Sequence, residues 1–252
     1  MKSLLSAFAF LTIMPVPIRW LDAEQNYACC VKYFPLVGLV LGSLVALIGY
    51  AITLILPQLP AAVVIAGLMV AMSGALHLDG LADTADGFLS SRPRDAVLEI
   101  MKDSRIGTMG VAAILLLLLL KVSALSELLA QPALSGLLAV AVSVLAGRCT
   151  FVWSMRLNQY ARKDGLGKSF WVRSWNLSLF SLMVLSLTAW LLLGYRGLIA
   201  VAASGFTVAL VAIWCHRRIG GATGDTAGAC CELTEACFLL SIVGANHAGG
   251  TA

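Results

Sequence analysis

The segment His77-Leu-Asp79-Gly-Leu-Ala-Asp83-Thr-Ala-Asp86-Gly87 lies between two long apolar stretches of the chain. Together with the residues as far as Asp103, it holds six of the thirteen acidic residues, although only 12% of the 252 residues are charged and 60% are hydrophobic. The spacing i, i+4, i+7 puts its three aspartates on one face of a helix, where like charges repel one another. A hard divalent cation would remove that repulsion, so the segment predicts a metal site at the border of a membrane.

The low charge content predicts the fold class. Soluble domains contain about 25% charged residues, so a chain with half that fraction and long apolar stretches is typical of a membrane protein. Because backbone groups in lipid must form their hydrogen bonds internally, each stretch of about 20 residues that spans the bilayer is predicted to be a helix. We therefore expect an all-α fold: a polytopic integral membrane helical bundle of about seven transmembrane helices plus short amphipathic cytoplasmic helices, in a single membrane domain over residues 1–252. The predicted spans are 33–56, 61–77, 109–129, 135–153, 177–194, 198–215 and 226–244.

The basic residues predict the orientation of this bundle. With residues 1–32 in the cytoplasm, 14 of the 17 Lys and Arg residues fall in cytoplasmic segments, as the positive-inside rule requires. The N-terminus and the acidic segment are then cytoplasmic in a multi-pass protein of the cell inner membrane. The apolar run 4–14 is too short to span, so we expect an interfacial helix there, with the apolar part of a signal peptide as the alternative. The net charge of +4 follows from these loops and indicates no nucleic-acid partner.

The cytoplasmic segment 78–108 carries a second acidic face. Asp95, Glu99 and Asp103 are spaced i, i+4, i+8 on a predicted short helix, and Arg105 follows them. An arginine beside carboxylates suits the bidentate binding of phosphate. The alternative for this half of the segment is an interfacial helix that turns its polar side chains to water.

A further carboxylate stands in the glycine-rich loop before the last span. Gly224 and Asp225 end the sequence Gly-Gly-Ala-Thr-Gly-Asp. Glycine-rich backbone at a helix N-terminus offers free N–H groups to an anion. We therefore expect this loop to contribute to the site, the alternative for Asp225 being a helix cap.

Ionisable residues within the predicted spans are costly in lipid and are usually paired or functional. Glu232 and Glu235 lie in the last span, and Lys121 in the third span is the natural partner for one of them or for Glu127. We expect a buried structural ion pair there. Arg148, near the cytoplasmic end of the fourth span, also needs a partner and is a candidate for binding a phosphate.

The cytoplasmic loop 154–176 is basic, with five Lys and Arg residues against one acid. Such a loop either meets anionic lipid headgroups or binds a phosphorylated substrate, for which Lys168 is the candidate. The sequence Gly-Lys-Ser over 167–169 resembles the end of a phosphate-binding loop, but Arg162 stands where that motif requires Gly, so ATP hydrolysis by that route is rejected. His77 is a candidate ligand or base, the alternative being a polar residue at headgroup level.

Metal-binding carboxylates, nearby arginines and a glycine-rich helix start together predict phosphoryl or phosphodiester transfer. A metal neutralises phosphate oxygens and stabilises the leaving phosphate, while a further carboxylate takes the proton from the attacking hydroxyl. A divalent-cation transporter is the rival class. Transporters, however, place their binding groups near the bilayer midplane, whereas these acids lie at its border.

Three motifs are similar to those of a known family: HLDGLADTADG over 77–87, MKDSRIGT over 101–108 and GGATGDT over 220–226. With LTIMPVP near the N-terminus and YFPLVGLVLG at the first span, they resemble the cobalamin synthase family over essentially the whole chain. The resemblance implies adenosylcobinamide-GDP ribazoletransferase activity and a requirement for Mg²⁺. In that reaction a ribose hydroxyl of α-ribazole, or of α-ribazole 5′-phosphate, attacks the phosphate bonded to adenosylcobinamide in adenosylcobinamide-GDP, and GMP leaves.

A second likeness, to the CDP-alcohol phosphotransferases, bears on the roles of single residues. Their pattern D-x-x-D-G followed by D-x-x-x-D is met by Asp83 and Asp86 and, with Glu in place of Asp, by Glu99 and Asp103. The gap between the pairs is shorter here, and the Ala-Arg after D-G is absent. On this analogy Asp83 and Asp86 bind metal, Asp79 or Glu99 completes the shell, and Asp103 is a ligand or general base. A lipid-directed CDP-alcohol phosphotransferase is therefore the alternative function.

The candidate site residues fall into three groups. The catalytic candidates are Asp103, Asp225 and Arg105. The substrate-binding candidates are His77, Arg148, Lys168 and Gly224. The candidate ligands for Mg²⁺ are Asp79, Asp83, Asp86 and Glu99. The expected partners are adenosylcobinamide-GDP, α-ribazole or its 5′-phosphate, and the lipid bilayer, and the sequence leaves a homo-oligomer open.

Overall fold

The computed structural model describes residues 2–21, 27–130 and 133–250, and within these ranges the chain is built from α-helices. Two 3-10 turns, Ile18–Trp20 and Tyr27–Tyr33, precede the first long helix. The described residues contain no strand beyond an isolated parallel bridge between Tyr160 and Ala222. The α-helices of these ranges are α1 Lys2–Leu11, α2 Phe34–Thr53, α3 Gln58–Met72, α4 Leu76–Phe88, α5 Arg94–Ile100, α6 Thr108–Leu129, α7 Ala133–Leu157, α8 Leu166–Phe170, α9 Trp175–Ile219 and α10 Gly224–Gly250.

The long helices confirm a polytopic all-α membrane bundle. Five of the described helices are long and apolar enough to cross a membrane, or six when α3 and α4 are counted as one bent span. One of the five, α9, has 45 residues and is broken at Gly194, whose φ of 61° is a conformation that glycine adopts readily. Gly197 packs on the backbone of Ala189, so the chain reverses direction at this break. The two arms, 175–193 and 195–219, correspond to the predicted fifth and sixth spans.

The second predicted span, 61–77, is wrong at its end. Helix α3 stops at Met72, and Gly74 and Ala75 both adopt left-handed backbone angles, with φ of 60° and 59°. Helix α4 then leaves at 89° to α3, which makes His77 part of a second helix instead of the end of a span. The half of α4 that carries Asp83 and Asp86 lies at the end of the bundle, beside the first turn of α6.

Helix α7 is at the centre of the bundle. In its apolar 18-residue segment 89% of the residues are buried, against 33% in the corresponding segments of α2 and α9. It packs against α2, α9 and α10. The outer helices expose large apolar side chains, such as Leu119, Leu191 and Phe206, each about two-thirds exposed. A bilayer accommodates such a surface, whereas water penalises a large apolar patch.

A set of four charged side chains is buried among α6, α7 and α10. The Nζ of Lys121 lies 2.6 Å from Oε2 of Glu232 and 2.6 Å from Oε2 of Glu235. The other oxygen of Glu235, Oε1, pairs with Arg148. We name Lys121, Arg148, Glu232 and Glu235 the buried ion network. It confirms the predicted ion pair of Lys121, and because two cations face two carboxylates, each desolvated charge has a partner.

Candidate active site

Helix α4 packs alongside the N-terminal parts of α6 and α10. A Cβ on Gly80 would stand 2.6 Å from the backbone oxygen of Asp225, and one on Gly228 would stand 3.2 Å from Cα of His77. The backbones of α4 and α10 therefore touch, which explains why small residues separate the aspartates of α4. On its other side α4 reaches α6 through Asp86. This packing gathers four carboxylates, which we name the acidic cluster: Asp79, Asp83, Asp86 and Asp225.

Asp86 is bound to the start of α6. Its Oδ2 accepts a hydrogen bond from the backbone N–H of Gly107 at 2.7 Å, and its Oδ1 accepts one from Gly110 at 2.8 Å. The first N–H groups of a helix have no partner within the helix, and a carboxylate there also interacts favourably with the helix dipole. Asp86 thus fastens α4 to α6, and each of its oxygens keeps one lone pair for a further ligand.

The start of α10 is capped by threonines and not by Asp225. The backbone N–H of Thr223 donates to Oγ1 of Thr226 at 2.8 Å, and the N–H of Thr226 donates to Oγ1 of Thr223 at 3.3 Å. This reciprocal pair resembles a capping box and satisfies the free N–H groups. The carboxylate of Asp225 accepts from Oγ1 of Thr223 at 3.3 Å and stands near Asp79 and Asp83 of α4.

An arginine that the sequence did not single out stands at Asp225. Nη2 of Arg162 lies 2.7 Å from Oδ2 of Asp225 and donates a longer bond, 3.2 Å, to the backbone oxygen of Met101. The side chain of Arg162 is 14% exposed and that of Asp225 is 25% exposed. Arg162 is 63 residues away along the chain, so only the fold brings the two together.

The acidic cluster produces a negative electrostatic potential, which acts on its own carboxyl groups. Burial, then the carboxylates of Asp79 and Asp225, raise the pKa of Asp83 to about 7, while Arg162 opposes the shift. Asp86 adds a smaller effect of the same sign as the other acids. A carboxyl group that is half protonated near neutral pH marks a place where a cation would be stabilising.

The second predicted acidic face is turned to solvent. Asp103 and Arg105 form an exposed two-pronged ion pair, with Nη2 of Arg105 2.6 Å from Oδ2 of Asp103. Its hydrogen bonds lower the pKa of Asp103 to about 2. Glu99 is exposed on α5, a short helix whose apolar side packs on Phe88 through Val97.

The predicted substrate-binding residues divide into two buried and two accessible ones. His77 is fully buried, with its Nδ1 3.7 Å from Sγ of Cys231, and Arg148 is 2% exposed within the buried ion network. Lys168 is exposed on α8 and donates to the backbone oxygen of Lys163, while Gly224 has open space where a Cβ would stand. His77 and Arg148 therefore lie beneath the cluster, where a substrate does not reach them.

The possible metal ligands among the described residues do not form a complete coordination shell. Within the described residues, no three His, Cys, Asp or Glu side chains stand close enough together to hold a metal ion. Among the same residues, no hydrogen-bond donor reaches the carboxylates of Asp79 and Asp83. Mg²⁺ is usually held by one or two carboxylates together with waters and substrate phosphates, so an oxygen-only set of this kind fits it.

The fold and the site define a helical, multi-pass membrane protein with a carboxylate-rich site at one end of the bundle. The model of the cobalamin-5-phosphate synthase family matches residues 3–243, and the chain belongs to that family.

Relatives extend this match over almost the whole chain. The adenosylcobinamide-GDP ribazoletransferase of Geotalea daltonii is 36% identical over 238 residues, which cover 94% of this chain and 95% of the relative. The protein of the same name from Klebsiella pneumoniae is 40% identical over 254 residues, which cover 96% of this chain and 99% of the relative. No solved structure matches the chain. The resemblance drawn from the three motifs is confirmed, as is the prediction of a transferase of cobalamin biosynthesis.

Sequence reasoning missed Arg162 and the capping role of Thr223. Loop 154–176 was recognised as basic, but nothing in its composition distinguishes Arg162 from its basic neighbours. The bridge between Tyr160 and Ala222 makes the distinction, because it joins this loop to the loop that precedes α10. For Thr223, the spacing of two threonines three residues apart before an apolar run was an available signal.

Proposed function

We propose that the protein joins adenosylcobinamide-GDP to α-ribazole, or to α-ribazole 5′-phosphate, and releases GMP. The observation that carries the proposal is the meeting of Asp79, Asp83 and Asp225 beside the start of α10, in a chain of this family. A free ribose hydroxyl oxygen of the acceptor bonds to the phosphorus that carries the cobinamide, and the bond from that phosphorus to the bridging oxygen breaks. GMP leaves with the bridging oxygen, and the product is adenosylcobalamin or its 5′-phosphate.

Mg²⁺ is the cofactor that these oxygen donors fit best. Asp79 and Asp83 would hold it, with waters and substrate phosphate oxygens as its other ligands. Bound there, the ion would neutralise phosphate oxygens and stabilise the leaving GMP.

A carboxylate of this chain takes the proton of the attacking hydroxyl. Asp103 and Asp225 are the candidates, and their surroundings differ. Arg105 clamps Asp103, whose pKa of about 2 makes it a weak base at neutral pH. Asp225 belongs to the acidic cluster and is partly accessible, so we assign it the role of base.

The other candidates contribute by contact or by packing. Lys168 and Gly224 are accessible, and we assign them to the binding of substrate phosphate, with Arg105 at the rim. His77 and Arg148 are buried, so they support the site by holding α4 and α7 against α10. The positive-inside pattern favours an active site on the cytoplasmic face of the cell inner membrane.

The test is product analysis with the protein in lipid nanodiscs. With adenosylcobinamide-GDP, α-ribazole and Mg²⁺, we expect one GMP for each cobalamin product, and we expect excess chelator to stop the reaction. Release of CMP from a CDP-alcohol would support the lipid-directed alternative, and metal flux into sealed vesicles without nucleotide chemistry would support a transporter. Absence of GMP, or turnover undiminished by chelator, overturns the proposal.

A further inference from the structure

We propose that Arg162 binds the diphosphate of the nucleotide-linked substrate, and that its ion pair with Asp225 is the contact that this phosphate replaces. The inference rests on the proposed function and adds to it the residue that recognises the phosphate. It concerns a side chain that is distant in sequence from every motif of the family resemblance.

The fold holds the backbone beside Arg162 in a defined position. The N–H of Ala161 donates to the oxygen of Ala222 at 2.8 Å, and the N–H of Ala222 donates to the oxygen of Gln159 at 2.9 Å. Arg94 of α5 adds a bond from its Nη2 to the oxygen of Ala161 at 3.0 Å. The loop before α10 and helix α5 therefore both hold the residue immediately before Arg162, and a preorganised donor loses less conformational entropy when it binds a ligand.

The guanidinium group of Arg162 has binding capacity that its protein partners do not use. Nη2 donates to Asp225 and Met101, whereas Nε is buried and has no hydrogen-bond partner among the described residues. A guanidinium presents its donors as a planar fork that matches two oxygens of one phosphate. A phosphate at this position would satisfy the unpaired Nε as well as the charge.

The other two arginines proposed from the sequence to bind phosphate are already paired with carboxylates. Arg105 is held in a two-pronged pair by Asp103, and its side chain is 88% exposed to solvent. Arg148 is sealed in the buried ion network with Glu235. An anionic substrate that approaches four clustered carboxylates is repelled unless a cation stands beside it. Among these three arginines, Arg162 is the one that touches the acidic cluster.

The exchange of partners has a chemical consequence. When the substrate phosphate takes the guanidinium of Arg162, Oδ2 of Asp225 loses its charged partner. A carboxylate without that partner holds a proton more readily. Binding of the nucleotide would thus prepare Asp225 to accept the proton of the attacking hydroxyl, and Asp225 would stay paired while the site is empty of nucleotide.

The first experiment measures GDP binding by calorimetry to the full chain in nanodiscs, with chelator present so that only protein groups contribute. We expect Arg162→Ala to weaken GDP binding at least tenfold and Arg162→Lys to weaken it less, because a lysine keeps the charge and loses the fork. Lys163→Ala is the matched control, since it removes one positive charge from the neighbouring exposed position. Equal GDP affinity in Arg162→Ala and Lys163→Ala would overturn the inference.

A second comparison tests the exchange itself. Asp225→Asn removes the competing carboxylate from Arg162, whereas Asp79→Asn removes the same charge from the cluster without touching Arg162. We expect GDP to bind more tightly to Asp225→Asn than to Asp79→Asn, and equal affinities would contradict the exchange.

Steady-state kinetics separates this inference from the proposed function. In Arg162→Lys the KM for adenosylcobinamide-GDP should rise at least fivefold while the KM for α-ribazole stays unchanged, which a purely structural role would not produce. If the wild-type protein releases no GMP, the proposed function fails. If it releases GMP and Arg162→Lys keeps both KM values, the inference about Arg162 alone fails.

Discussion

The buried ion network and the acidic cluster are built from the same residue types, yet their surroundings oppose each other. In the network, Lys121 and Arg148 face Glu232 and Glu235, and all four side chains are at most 4% exposed. In the cluster, four carboxylates meet one guanidinium among the described residues, that of Arg162, and remain partly open to solvent. One set of charges is matched and sealed, and the other is unmatched and accessible.

The difference indicates which charges hold the fold and which serve chemistry. A matched set buried in the bundle gives each desolvated charge a partner, so removing one member leaves another unpaired. An unmatched acidic set is unfavourable by itself and becomes favourable when a cation or a proton joins it. The same substitution, an acid to its amide, should therefore damage stability in the network and activity in the cluster.

The largest effect on activity is expected from Asp83→Asn. The amide removes a charge from the proposed metal site, and a bound metal supplies several kcal/mol to the transition state, so we expect GMP release to fall by about a thousandfold or more. The protein should still insert and unfold at an unchanged or slightly higher temperature, because Asp83 forms no ion pair among the described residues and the amide removes one of the repelling charges. GMP release near the wild-type rate would remove Asp83 from the metal site.

The largest effect on stability is expected from Glu235→Gln. This acid bridges Lys121 and Arg148, and breaking a buried pair costs about 3–5 kcal/mol because a charge is left uncompensated. Chemical unfolding in detergent measures the loss, with Glu127→Gln on the exposed side of α6 as the control. If both variants unfold alike, the network does not stabilise the bundle.

A pH series on metal binding gives the next smaller effect. The pKa of Asp83 is about 7, so below that pH a bound cation must displace a proton. Affinity for Mn²⁺, followed by electron paramagnetic resonance, should rise up to about tenfold per pH unit between pH 5.5 and 6.5 and level off above pH 8. Asp103, with its pKa near 2, stays ionised throughout and contributes no slope. A flat profile would separate Asp83 from the metal.

The helical membrane fold could be predicted because lipid imposes length and hydrophobicity on each span. The reversal at Gly194 also falls at the end of the fifth predicted span, 177–194, before the sixth begins at residue 198. The bend at Gly74 and Ala75 could not be predicted, since Ala75 adopts a left-handed conformation that alanine disfavours, and tertiary packing decides it. The predicted span 61–77 therefore continued past the true end of α3 at Met72.

The site was predictable where one helix carries its residues and not where distant segments meet. The spacing of Asp79, Asp83 and Asp86 follows from helix geometry. The approach of Asp225 depends on close backbone packing at Gly80, and that of Arg162 depends on the bridge between two loops. Arg105 and Arg148 were better sequence candidates for phosphate than Arg162, because their actual partners, Asp103 and Glu235, are visible only in three dimensions.

The smallest effect concerns the start of α10, where substitutions separate the capping role of Thr223 from the role of Asp225 in the acidic cluster. Thr223→Ala removes the side chain that accepts from the N–H of Thr226, and loss of such a cap costs about 1 kcal/mol. Asp225→Ala should cost less stability, because it removes one of four mutually repelling carboxylates, while GMP release falls sharply. Thermal unfolding in nanodiscs gives the first quantity and product analysis gives the second. A larger loss of stability in Asp225→Ala than in Thr223→Ala would make Asp225 the cap of α10 and a part of the fold. The acidic cluster would then contain three carboxylates instead of four, and its contrast with the buried ion network would be weaker.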